Sequence, residues 1–250
     1  MDFGIKNRLA LVTGASRGIG RGIAKQLALE GARVILVART ADALETVRRE
    51  MPEPDKHVAV PVDLMAEGGI QKLADAINKI GNLDIIVHNL GGSAMVFQAF
   101  APVEDWKKVW QFNVGIPHEL NRIFIPPMVQ RKWGRIVHLS TLSTRTFTGY
   151  AAYVSAKCAL DGYVKTVSRE VSKDNVILSA VAPGAIYSEG RYFAKISKEN
   201  PAALEDYFKN HLAIRRLGTA DDVAGVTAFL CSDQASYMAG AIVAVDGGWM

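Results

Sequence analysis

Seven short apolar runs punctuate the chain, at residues 8–13, 33–38, 57–62, 83–88, 135–139, 176–181 and 241–245. Each is rich in Val, Ile, Leu or Ala and is bounded by Gly, Pro, Asn or charged residues, the mark of short strands buried on both faces. Between them, stretches such as 42–50, 69–80, 103–131, 150–173 and 221–230 carry apolar residues three and four apart, as amphipathic helices do. Alternating strands and helices predict an α/β fold with a parallel sheet covered on both faces, and right-handed crossovers make it doubly wound. Prolines interrupt the long 103–131 stretch; Pro117 takes the helical donor away from the Asn113 carbonyl and predicts a kink that turns polar backbone, a place for ordered water, toward the sheet edge.

The first strand runs into Gly14-Ala15-Ser16-Arg17-Gly18-Ile19-Gly20 and then a helical pattern. Strand, glycine turn and helix in that order make a phosphate site, because glycines let backbone N–H groups approach an anion and the helix start adds partial positive charge. The second strand ends at Arg39, where a dinucleotide fold meets the adenosine ribose; with Arg17 it favours a 2′-phosphate, hence NADP(H) over NAD(H), although Asp42 lies nearby. Asp63, past the third strand, either bonds an adenine amino group or caps a turn. The fourth strand ends in Asn89-Leu90-Gly91-Gly92 on the same carboxyl edge, and the sixth in Pro183-Gly184.

Tyr153 and Lys157 share one face of the 150–173 helix, and Ser140 closes the fifth strand thirteen residues before the tyrosine. A phenol ionises near ~10, so acid/base work at neutral pH asks for a shift of roughly two to three units, which a cation within ~6 Å can supply. The Ser140 hydroxyl would bond the oxygen whose proton the phenol exchanges.

Composition narrows the classes. With 49% hydrophobic and 22% charged residues, the 250-residue chain can bury a large core, and one domain over 1–250 is expected. A formal charge of +4, with scattered Lys and Arg, makes no nucleic-acid stripe and suits an anionic ligand instead. Cys158 and Cys231 lack metal or redox spacing, the five histidines make no metal motif, and residues 1–7 have no sustained apolar core; a cytoplasmic protein without metal or membrane partner is expected.

Thr13-Gly14-x-x-x-Gly18-x-Gly20, Asn89-x-Gly91, Asn113, Ser140, Tyr153-x-x-x-Lys157, Pro183-Gly184 and the closing Asp246-Gly247-Gly248 occur in this order along essentially the whole chain. In them the chain resembles the short-chain dehydrogenase/reductase family, and from Arg216-Leu217-Gly218 onward the 3-oxoacyl-carrier-protein reductases most. The resemblance implies a Rossmann-like, seven-stranded sheet and NAD(P)-dependent interconversion of a ketone and a secondary alcohol. It makes Tyr153 the acid/base, Ser140 the holder of the substrate oxygen and Lys157 the ribose ligand that lowers the phenol pKa. Asn113 then holds a relay water, Asn89 and Gly91 support the cofactor, and Pro183, Gly184, Ile186 and Ser188 line its nicotinamide half. The family's Asn-Asn-Ala-Gly is His88-Asn89-Leu90-Gly91 here, adding three carbons at Leu90 beside the cofactor, and Ser188 stands where a threonine is common. A homotetramer or homodimer is expected by the same analogy.

The substrate is less legible. Residues 185–217 read as a lid carrying Tyr187, Arg191, Tyr192, Phe193, Lys195 and Lys198, which suits an anionic ligand or a plain solvated helix face. Arg131, Lys132 and Lys173 could meet an acidic acyl-carrier protein; sugar, steroid-like and secondary-metabolite ketones are the alternatives. A non-catalytic NADP-binding redox sensor is the rival class, and it would be expected to have lost one of the four reacting groups.

Overall fold

The computed structural model describes residues 2–190 and 192–250; Arg191 of the expected lid lies outside them. The strands are β1 Leu9–Thr13, β2 Arg33–Ala38, β3 Val58–Pro61, β4 Ile85–His88, β5 Gly134–Leu139, β6 Val176–Pro183 and β7 Ile242–Val245. The helices are α1 Gly18–Leu29, α2 Ala41–Arg49, α3 Gly69–Ile80, α4 Val103–Trp110, α5 Ile116–Gln130, the one-turn α6 Ser143–Thr146, α7 Ala151–Val171, α8 Tyr192–Glu199, α9 Pro201–His211 and α10 Ala220–Leu230. The seven strands form one parallel sheet in the order β3-β2-β1-β4-β5-β6-β7. Strand order reverses between β1 and β4, so the loops that leave their carboxyl ends diverge and open a crevice there.

Two apolar layers cover the sheet. Ile23, Ala24 and Leu27 of α1 with Val223, Ala224 and Ala228 of α10 pack on one face; Leu73 and Ile77 of α3, Leu120 and Phe124 of α5 and Val164 of α7 pack on the other. β1, β4, β5 and β6 are buried along their whole length, as runs rich in Val, Ile, Leu and Ala favour, and they carry Thr13, His88, Arg135, His138 and Ser179 into the interior with them.

The long 103–131 stretch is broken by a π-helical turn over Gln111–Gly115 that joins α4 to α5. The Ile116 N–H reaches back five residues to the Gln111 carbonyl, so the missing proline donor is accommodated by a shifted ladder, and the sequence-based kink takes this form instead. Pro126 and Pro127 sit inside α5 without ending it.

Candidate active site

The glycine turn is built for close approach. Gly14 and Gly18 have φ of +67° and +56°, a region that penalises any Cβ. A Cβ at Gly20 would lie 2.3 Å from the Gly14 carbonyl oxygen and 2.4 Å from Asn89 Nδ2, so helix and strand meet with no room for a side chain. Asn89 ties the turn to β4: its Nδ2 donates to the Thr13 and Gly14 carbonyls at 2.9 and 3.1 Å. No side chain caps α1, whose start follows an extended Arg17, leaving its first N–H groups for an anion. Ser16 is half-buried beside them. Ser188 lies over the turn, its Oγ 2.9 Å from where a Gly18 Cβ would be.

Arg17 and Arg39 are exposed, and neither forms an ion pair among the described residues. Asp63 Oδ1 accepts the Met65 N–H at 2.9 Å, the turn-capping alternative of the two that its position allowed. Leu90 packs into the apolar layer under the sheet and is not among the residues lining the cleft.

A cleft of about 270 Å³ opens at the carboxyl edge. Ile19 enters it from the glycine turn, Asn89 and Gly91 follow β4, Ser140 and Thr141 follow β5, Tyr153 and Lys157 come from α7, and Pro183, Gly184 and Ile186 follow β6. Phe193 of α8 closes one side. Asn113 stands behind, fully buried, its Nδ2 donating to the Gly92 and Val109 carbonyls at 2.8 Å each while its Oδ1 accepts the Gly92 N–H at 3.0 Å. These bonds hold the loop after β4 against the π turn and occupy the Asn113 side chain.

Lys157 is 4% exposed, and its Nζ donates to the Leu139 carbonyl at 2.6 Å. Burial pulls its pKa down to about 8, opposed by the Asp161 carboxylate. The ammonium is 6.0 Å from the centre of the Tyr153 ring. Burial pushes the Tyr153 phenol above its ordinary value, and hydrogen bonding by Thr141 acts the other way. The sequence reading let the ammonium lower the phenol; desolvation, which disfavours phenolate, is the leading effect here.

Ser140 is also differently engaged. It is buried, and its Oγ donates to Asp161 Oδ1 at 2.5 Å. The neighbouring hydroxyl that shares the cleft with the phenol and acts on it is Thr141, which the sequence reading passed over with Asp161; both were findable, since Asp161 continues the 153, 157 spacing by one more turn and Thr141 adjoins the strand end.

The remaining expectations concern the surroundings. Arg131 donates to the Leu83 carbonyl at 2.5 Å, and Lys132 pairs with Asp174 at 2.5 Å. These residues and Lys173 precede β5 and β6 and so lie at the amino edge of the sheet, a strand's length (roughly 20 Å) from the cleft of the same chain. Within residues 185–217, Lys195 and Lys198 are exposed and Lys195 pairs with Glu199 at 3.7 Å. No helix is long and apolar enough to cross a membrane, and no His, Cys, Asp or Glu cluster could hold a metal, among the described residues.

Comparison with known proteins agrees with this architecture. A family model described as enoyl-(acyl carrier protein) reductase matches residues 14–250. A 3-oxoacyl-[acyl-carrier-protein] reductase of Aquifex aeolicus is 31% identical over 99% of both chains. An L-sorbose reductase of Gluconobacter frateurii, solved with NADPH and L-sorbose, superposes with a TM-score of 0.92 at 31% identity, covering 100% of this chain and 99% of that one. A 7α-hydroxysteroid dehydrogenase complexed with NADH and 7-oxo glycochenodeoxycholic acid superposes at 0.89 with 29% identity, covering 100% and 96%. With the glycine turn, the phenol–ammonium pair and the sheet order all in place, the chain belongs to the short-chain dehydrogenase/reductase family.

Proposed function

We propose that this protein is an NADP(H)-dependent oxidoreductase that interconverts a ketone and a secondary alcohol, with Tyr153 as its acid/base. The observation that carries the reading is one cleft, at the strand-order reversal, holding a buried phenol and ammonium on α7 beside a glycine cradle. The residues fit a dinucleotide: positive φ at Gly14 and Gly18 and the bare start of α1 suit its pyrophosphate, and Arg17 and Arg39 suit a 2′-phosphate. When bound, NADPH supplies the hydride that reaches the carbonyl carbon.

The chain's own groups handle the oxygen. The Tyr153 phenol, kept protonated at neutral pH by burial, donates its proton to the carbonyl oxygen as charge develops there. The Lys157 ammonium, fixed by Leu139, would hold the ribose hydroxyls and stabilise the phenolate left behind. With the Asn113 side chain committed, a relay water would rest on its main-chain carbonyl.

The relatives act on thioesters, a sugar and a steroid, so family alone leaves the substrate class open. Phe193 on the cleft wall, and Phe97 tilted against Tyr150 at 4.7 Å between ring centres one turn ahead of Tyr153, favour an apolar portion in the substrate. The carrier-protein reading has only the relatives behind it. Residues 185–217 act as the lid of a single domain over 1–250; a cytoplasmic setting suits the two free thiols, and assembly as a homotetramer or homodimer is carried by family analogy.

The test is oxidation of NADPH with acetoacetyl-CoA, L-sorbose and 7-oxo glycochenodeoxycholic acid. Tyr153→Phe is expected to abolish turnover, by at least ~10³-fold, with NADPH affinity unchanged. Retained turnover in that variant overturns the assignment.

A further inference from the structure

We infer that Thr141, and not Ser140, presents the hydroxyl that bonds the substrate's carbonyl oxygen beside Tyr153. The inference rests on the oxidoreductase reading above and assigns one of its groups.

A serine hydroxyl has a single proton to give. That of Ser140 is given to Asp161 Oδ1 at 2.5 Å, the length of a strong bond to a carboxylate. A developing oxyanion would have to compete with that carboxylate for the proton and would meet its negative charge nearby. Asp161 lies eight residues past Tyr153 on α7, about 12 Å along the axis, so Ser140 is anchored about two turns along the helix from the phenol's own position.

The backbone places the next side chain oppositely. The N–H of Ser140 donates to the Val181 carbonyl at 2.7 Å and that of Leu142 to the Pro183 carbonyl at 2.9 Å. Alternate residues thus bond β6 as in an extended strand, so the two side chains leave the backbone in opposite directions although both border the cleft. Thr141 Oγ1 keeps only long local contacts, accepting the Ser143 N–H at 3.3 Å and reaching Ser143 Oγ at 3.4 Å. Its proton is free to move to a better acceptor in the cleft, and its action on the Tyr153 phenol shows that the two hydroxyls already sense each other. Ser140 and Asp161 then serve as the fastening of the turn that carries Thr141.

Two measurements test this in the full-length, NADP-bound enzyme. Alkaline difference titration at 295 nm, with Tyr153→Phe as the blank, reads the phenol's pKa directly; Thr141→Val should raise it by about one unit and Ser140→Ala by under about 0.3. Turnover with the fastest compound of the three named above should fall about 100-fold or more in Thr141→Val at unchanged NADPH affinity, under about tenfold in Ser140→Ala, and under about tenfold in Thr141→Ser. A phenol pKa indifferent to Thr141→Val, or a loss in Ser140→Ala matching that in Thr141→Val, overturns the assignment. If none of the three compounds is reduced, the oxidoreductase reading fails, while the phenol titration still decides whether Thr141 or Ser140 faces Tyr153.

Discussion

His88 and His138 lie tilted against each other at the ends of β4 and β5 with ring centres 4.6 Å apart, and Asn121 of α5 bridges them, accepting from His88 Nε2 at 2.8 Å and reaching His138 Nε2 at 3.3 Å. Tyr163 completes the cluster at 3.2 Å from Asn121. Burial pulls His88 down to about 4 and His138 well below its ordinary value, the Lys157 charge adding to both. Each is therefore neutral in the folded chain and takes up a proton on unfolding below pH ~6.5.

The sign follows: stability is intact above pH 6.5 and is lost as the pH falls toward 4, at up to about 1.4 kcal/mol per pH unit for each histidine. Urea unfolding between pH 4 and 8 should show this loss in the wild type. His88→Asn should flatten it by about 3 kcal/mol over the interval. Parallel curves for the two proteins would show that the histidine does not set the acid limit.

A second pH effect runs from Lys157. A lysine held at about 8 when folded binds its proton more weakly than the unfolded chain does. Its burial thus weighs against folding below pH 8 and is relieved as the pH rises toward 10.5. Relative to Lys157→Met, the wild type should gain about 3 kcal/mol across that window. Thermal melts of both proteins from pH 7.5 to 9.5 would capture the rise, and a constant difference between them would count against a buried, charged lysine.

Cofactor choice can be tested at Arg39. An exposed guanidinium that bonds a 2′-phosphate contributes about 1.5–3 kcal/mol, so Arg39→Asp should raise the KM for NADPH by about 10- to 100-fold. The KM for NADH should move by less than about threefold, because that cofactor has a hydroxyl there. Equal changes for both cofactors would take Arg39 out of the recognition of the phosphate.

Much of this architecture is written in short-range patterns. β1, β4, β5 and β6 follow from short runs rich in Val, Ile, Leu and Ala, the glycine cradle from spacing, and the meeting of Tyr153 and Lys157 from one helical turn. What escaped depends on partners distant in sequence. Whether Ser140 or Thr141 faces the phenol is decided by Asp161, 21 residues along, which claims the serine's proton. The placement of the cations at 131, 132 and 173, at the amino edge of the sheet, follows from strand direction, which composition alone does not give. The sense of the phenol's shift depends on how completely the packed sheet excludes water, which a pair of residues at helical spacing does not reveal.

The π turn over Gln111–Gly115 lets one rod of chain serve two masters. Its extra residue rotates everything after it by about 100° relative to an unbroken helix. Asn113 can thereby grip the loop of the cleft while Asn121, eight residues on, reaches the paired imidazoles. Excising a single residue there would leave a smoother helix and uncouple the two, turning Asn121 out of its slot while the cleft side stayed where it is.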